Sequence, residues 1–332
     1  MTKQQKLELE DAMTLTIEAP TKVNYLIDGR LTEAGLSILV AKPKVGKTSF
    51  ALQASVAVAE GIDFLGWQTK CGDVLYLYLE GPKDLPGRRF GQLGYTGTCG
   101  QIRVFRKTMP PSFRDGGLAL IHGALKEHPK TKLLVVDTLP KLIRVKDSDR
   151  YDECVAAMEL LEKTAQAFGI HILCLCHAKK YLSDDSGDSL LGSTAFRGST
   201  DTNLFLTKQS NRRVLSTEQR VGDSLEPTYL DLEKGSQLLS LGTTVESAEE
   251  DRRDFKKKAT RERIETEVRD ALFKAPGATT RELLKSVTGN YATITDVVAT
   301  MEKAGAIESK QEGKAEKHYL VEIQNEEPRK AA

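Results

Sequence analysis

No apolar run in the chain approaches the roughly 20 residues that span a bilayer, which argues against a membrane-spanning helix. The opening stretch Met1-Thr2-Lys3-Gln4-Gln5-Lys6 is polar and lacks the apolar centre of a secretory signal. Cysteine is scarce: five residues, an odd number, with no C-x-x-C pair. Cys174 and Cys176 alternate along an apolar stretch and read as buried reduced thiols, so a cytoplasmic location is expected. One tryptophan and five scattered histidines support no metal cluster. Net charge is nearly absent, +1 at pH 7, so any basic surface for a polyanion has to be local. Hydrophobic residues at 39% and charged residues at 29% suit a globular chain of 332 residues, long enough for one large domain and a small one.

What the chain does have is the run Ala41-Lys42-Pro43-Lys44-Val45-Gly46-Lys47-Thr48-Ser49. It follows the apolar, strand-like Leu36-Ser37-Ile38-Leu39-Val40 and opens the helix-like Phe50-Ala51-Leu52-Gln53-Ala54. Strand, loop and helix in that order are the setting of a phosphate-binding loop. The loop from Pro43 to Ser49 lies against the phosphates of a nucleotide, its backbone N–H donors beginning at Lys44 because proline has none, with the helix start beside them. Lys47 is expected to reach the β- and γ-phosphates and the Thr48 hydroxyl to ligate Mg²⁺, making ATP and Mg²⁺ the expected substrate and cofactor. Ala41 stands where the pattern has its first glycine, and alanine lacks easy access to positive φ, so an altered loop geometry is expected there.

Short apolar runs then alternate with helical patterns. Val74–Leu79, Ile102–Phe105, Leu133–Asp137 and Ile170–Cys176 read as strands, the longer ones covered on both faces. Leu118–Leu125, and Val155 to Phe168 at helical spacing, read as helices. The alternation predicts an α/β fold: a parallel sheet with helices on both faces. Three shorter strands, around residues 203–206, 213–216 and 228–232, are expected to pair at one edge. The expected division is a polar segment 1–20, an ATPase domain 21–240, a charged linker or solvated helix start 241–263, a small domain 264–323 and a disordered tail 324–332. Three short helical patterns and two strand-like pieces around Ile307 and Tyr319 give that small domain a winged-helix-like pattern.

Asp137 ends a buried run, so its carboxylate is expected at the carboxyl edge of the sheet, holding the water shell of Mg²⁺. Glu80 ends the Val74–Leu79 strand in the same way and is the candidate base for the water that attacks the γ-phosphate. His177 ends another strand and is placed to sense that phosphate; an ordinary surface histidine is the plain alternative. The loops 144–150 and 179–192 are polar, and Lys179 and Lys180 in the second are candidate DNA contacts among acids that nearly cancel them.

Taken together, these residues resemble the RecA-like ATPases of the RepA type, hexameric helicases of plasmid replication and their relatives on mobile elements. The matching pieces are Lys42 to Thr48, Val74 to Glu80, the Arg88-Arg89 pair, Leu134 to Asp137, His177 to Lys180 and Leu191 to Asp201. The resemblance spans roughly residues 20–235 and implies ATP bound between subunits of a homo-oligomer, a hexameric ring, with an arginine of one subunit completing the site of the next. Arg220 is the preferred finger and Arg197 the runner-up. Besides Ala41, Gly81 stands where the family often has a second acid and Cys176 where a second histidine is frequent.

The small domain lies outside the resemblance. Read as a winged helix, its recognition helix covers Asn290 to Ala304, and Lys310, Lys314, Lys317 and His318 lie on the wing, whose lysines suit phosphate contacts. The reading that follows is a DNA-associated oligomeric ATPase motor, a helicase or loader for a plasmid, phage or mobile element. Its alternatives are a nucleotide-switched DNA-binding regulator that does not unwind and a P-loop kinase acting on a small molecule.

Overall fold

The computed structural model describes residues 9–18, 22–144, 151–178, 198–209, 211–233 and 238–321. The chain forms two compact units, Met1–Val245 and Glu246–Ala332. The first holds a short helix α1 (Ala12–Glu18), a small hairpin of β1 (Tyr25–Ile27) and β2 (Leu31–Thr32), and a nine-stranded sheet.

Six strands of that sheet run parallel: β3 (Gly35–Ala41), β4 (Asp73–Tyr78), β5 (Ile102–Phe105), β6 (Thr131–Asp137), β7 (His171–His177) and β8 (Thr202–Gln209). Beyond β8 lie β9 (Arg212–Gln219), β10 (Thr228–Leu232) and β11 (Leu239–Thr244), each antiparallel to its neighbour. The order is β11-β10-β9-β8-β3-β7-β6-β4-β5. This is the expected parallel-dominated α/β sheet. The chain leaves β3 toward one side, for β7, β6 and β4, and later returns to its other side for β8. The crevice at the carboxyl end of β3 is therefore a place where ligands bind in open α/β sheets.

Side chains alternate between two cores with the period of two that a pleated strand imposes. Leu39, Tyr76, Val135 and Leu173 face α2 (Lys47–Glu60), while Ile38, Leu75, Leu134 and Ile172 face the opposite layer. That layer is made of α4 (Leu118–Glu127), α5 (Leu139–Ile143) and α6 (Tyr151–Phe168). A further helix, α3 (Leu85–Gln92), adds Phe90 to the α2 side. Cys174 and Cys176 are buried free thiols, whereas Cys71 and Cys99 form a disulfide that cysteine spacing did not reveal.

In the second unit, α7 (Val245–Lys274), α8 (Thr280–Ser286) and α9 (Tyr291–Lys303) pack with a small sheet ordered β12-β14-β13. Its strands are β12 (Ala278–Thr279), β13 (Ile307–Glu312) and β14 (Ala315–Leu320). Ile264, Val268 and Leu272 of α7 share a core with Leu283, Ile294, Val297, Val298 and Met301. A capping box between Thr279 and Glu282 starts α8, and the Asn290 side chain caps α9. The stretch 241–263, expected as a charged linker or solvated helix start, is the end of β11 followed by continuous, solvent-facing helix, so it is a helix start and not a linker. Its composition explains why: Ala, Glu, Lys and Arg are strong helix formers, and i,i+4 pairs such as Arg253–Glu249 and Arg269–Glu265 support the exposed turns.

Candidate nucleotide site

The loop after β3 bends sharply before entering α2. Gly46 caps α2 at φ 125°, a conformation that L side chains rarely adopt, and Lys44 sits at φ 65°. Ala41, by contrast, is the last residue of β3, paired with His177 of β7 and fully buried. The expectation that its methyl group alters the loop is corrected: the residue lies in a regular strand, where a Cβ is accommodated. Helical geometry leaves the first amides of α2 without internal partners, and these are the donors that suit an anion.

Lys47 is nearly buried. Its Nζ donates to the Ala41 carbonyl at 2.9 Å and the Lys42 carbonyl at 3.3 Å, and meets His177 Nδ1 at 3.0 Å. Burial lowers its pKa, opposed chiefly by the charge of Asp137. A protonated lysine has no lone pair, so His177 Nδ1 accepts and the ring proton lies on Nε2. That nitrogen faces Glu80 Oε2 at 3.5 Å. Thr138 Oγ1 donates to the same carboxylate oxygen at 3.2 Å. Lys47 at the start of α2, His177 at the end of β7 and Glu80 just beyond β4 thus form one continuous polar chain.

Asp137 lies deeper. The hydroxyl of the fully buried Tyr76 donates to its Oδ2 at 2.9 Å, and the Thr48 side chain hydrogen-bonds to the same carboxyl. Burial pushes the Asp137 carboxyl up to about 6, against the lowering effect of those two hydrogen bonds. A threonine hydroxyl beside a carboxylate is a pair of hard oxygen donors, the chemistry that fits Mg²⁺ shared with phosphate and water. Among the described residues no group of three or more His, Cys, Asp or Glu is placed to hold a metal ion by itself.

Two contributors went unforeseen. Tyr76 reads from sequence as one more apolar strand residue, and only the pairing of β4 with β6 shows its partner. Arg213, near the start of β9, donates from Nε to the Val45 carbonyl at 2.7 Å. A Cβ on Gly46 would lie 3.2 Å from that nitrogen, so the guanidinium covers the face that glycine leaves open. Arg220 sits elsewhere, at the opposite edge of the sheet, with Nη2 donating to the Gly198 carbonyl at 2.9 Å and Nη1 3.6 Å from Asp201. Arg88 pairs with Asp84 on the surface while Arg89 is buried. Lys179, Lys180 and Arg197 lie outside the described residues.

Residues 3–181, more than half of the chain, match the family described as AAA domain. The chain belongs to that family. The match takes in the phosphate loop, Glu80, Asp137 and His177. No curated protein matches this AAA domain chain. Among solved structures, it is similar to a DnaB-like replicative helicase described with its interactions with primase, at 16% identity and a TM-score of 0.55, over 70% of this chain and 68% of that one. A KaiC-like protein from Pyrococcus horikoshii OT3 aligns at 16% identity and a TM-score of 0.49, over 67% of this chain and all of its own. The RadB recombinase aligns at 16% identity and a TM-score of 0.45, over 63% and 91%. The first of these likenesses supports the RecA-like fold of the core.

Proposed function

We propose that this AAA domain chain is an ATPase that hydrolyses ATP with Mg²⁺ and couples that reaction to DNA as an oligomer of the RepA type. The observation that carries the reading is the polar chain from Lys47 through His177 to Glu80, beside the Thr48–Asp137 pair. A γ-phosphate entering the loop competes with His177 for the Lys47 ammonium, so His177 registers its arrival. Glu80, held by Thr138, orients and deprotonates the attacking water. Thr48 and Asp137 would hold Mg²⁺, which neutralises phosphate charge. Arg220 lies at the sheet edge away from this chain's own loop, so a role as finger requires it to act on a neighbouring subunit's nucleotide.

The second unit, three helices with a three-stranded sheet, is read as a winged-helix module. A plasmid, phage or mobile element is the proposed setting, and the likeness to a replicative helicase fold supports a helicase or loader over a kinase. The test measures ATP turnover with and without single- and double-stranded DNA, together with mass in solution, for wild type and Lys47→Ala. DNA-stimulated turnover by an oligomer, lost in the variant, is expected. A monomer whose turnover ignores DNA would overturn the motor reading, and DNA binding switched by nucleotide without strand displacement would favour the regulator.

A further inference from the structure

The hairpin carries the lysines that the wing pattern expects, with as many acids among them. Along β13 and β14, Lys310 pairs with Glu308 at 3.0 Å and Lys317 with Glu312 at 2.7 Å. Glu316 balances Lys314, so the hairpin carries no net charge. Helix α7 differs. Residues 246–251 hold four acids and no base, whereas 252–263 hold seven lysines and arginines against two acids.

The direction of these cations follows from helical spacing. Ile264, Val268 and Leu272 are the buried face of α7. Counting back by threes and fours along that face gives Arg261 and Thr260, then Lys257 and Lys256, then Arg253. One stripe therefore changes from apolar to cationic where the core ends, and its Lys256, Lys257 and Arg261 lie against α9, while Arg253 pairs with Glu249 on its own helix. Arg261 fixes the geometry, with Nη1 2.8 Å from Asp296 and Nη2 donating to Thr300 Oγ1 at 3.1 Å. Between the two helices lies a cleft of about 540 Å³, walled by Lys256, Lys257, Thr260 and Arg261 on one side and Ala292, Thr293 and Asp296 on the other. Asp296 neutralises Arg261, which leaves Lys256 and Lys257 as the net charge of the cleft. Lys257 is only loosely held by Asp254, at 3.5 Å between two largely exposed side chains. Tyr291, next to Ala292 at the start of α9, exposes 68% of its surface and offers a stacking face.

We infer that the α7–α9 cleft is a nucleic-acid site that takes the phosphodiester backbone on Lys256 and Lys257, with Tyr291 stacking an unpaired base. The inference deepens the DNA-associated reading and rests on it. It relocates the contact from the lysines of the hairpin to the stripe of α7.

The test uses the full chain and fluorescence anisotropy with a labelled single strand and a labelled duplex, over a series of salt concentrations. Lys256→Ala/Lys257→Ala is expected to weaken binding about tenfold near physiological salt. It should also flatten the salt dependence by about 1.4 in log–log slope on the single strand and about 1.8 on the duplex. Lys256→Arg/Lys257→Arg should bind as wild type does, and Lys314→Ala should change affinity less than about twofold. Tyr291→Ala should weaken the single strand more than the duplex. Circular dichroism verifies that each variant keeps its helix. A double-alanine variant that binds normally while Lys314→Ala loses affinity would overturn the cleft and leave DNA association standing. Wild type that binds neither probe would overturn both. Displacement of the strand by polyglutamate at equal charge would overturn the nucleic-acid assignment in favour of an acidic protein partner.

Discussion

Tyr76 is fully buried in β4, and its hydroxyl has one described task, to donate to Asp137. Tyr76→Phe keeps the ring and removes the donor, leaving a buried carboxyl short of a partner at a cost of about 1–3 kcal/mol. Because that hydrogen bond lowers the Asp137 pKa, its loss moves the acid limb of the pH–rate profile to higher pH. Steady-state rates of both proteins across pH check the direction, and an unmoved limb would refute it. His171 gives a second, independent pH signature. It is wholly buried, with Nδ1 at 2.7 Å from the Thr32 carbonyl and Nε2 at 2.9 Å from Ser37 Oγ. Burial drives its pKa down to about 4, against smaller raising effects of the Thr32 bond and Asp201. The folded state thus binds fewer protons than the unfolded one between about pH 6.5 and 4. The stability this neutral ring supplies is present above pH 6.5 and is lost as pH falls toward 4, by about 3–4 kcal/mol in all. His171→Gln is expected to be less stable at pH 7 and to close the gap to wild type at pH 4.5, measured by denaturant unfolding at both values.

At the scale of elements, β3, β4, β6 and β7 were legible because a strand buried on both faces needs an unbroken apolar run, and each supplies one. Asp137, Glu80 and His177 were legible for a related reason, since a polar residue that closes such a run has to emerge at the sheet's edge, whereas Lys47 and Thr48 were legible from the phosphate-loop pattern that opens α2. Their hydrogen bonds were not, because register between strands far apart in sequence is invisible in any one of them. Helix α3 escaped notice behind its Pro86, Gly87 and Gly91, residues that argue against helix locally. Helix α7 was obscured by charge: over its first half no side chain is buried, so no apolar period marks it. Ala41 shows the opposite error, a motif position that looks irregular and is structurally ordinary. Ala41→Gly, which restores the usual pattern, is expected to leave nucleotide affinity unchanged. It should cost about 1–2 kcal/mol through backbone freedom and a lost buried methyl. Nucleotide titration and unfolding on the same preparation test both halves, and tighter binding in the variant would refute the assignment.

Across the whole molecule, the two units have separate cores. Ile264 belongs wholly to that of the second, with 0% of its surface exposed, among Val268, Leu272 and Ile294. Ile264→Ala should therefore destabilise the second unit by about 2–5 kcal/mol while DNA-independent ATP turnover persists. Hydrogen exchange resolved by peptide provides the readout, with faster exchange expected in residues 264–320 and an unchanged sheet. Faster exchange in β3 or β6 as well would show that the two units unfold as one.

The hydrogen bond from Arg213 to Val45 joins residues 168 positions apart. Its consequence concerns portability. The nine residues from Ala41 to Ser49 look like a self-contained cassette, yet one wall of their cradle is on loan from a strand that carries no recognisable motif. Grafted into another sheet, the same nine residues would keep their glycine and lose the guanidinium that fills the space beside it. The cassette is complete only in the company of β9.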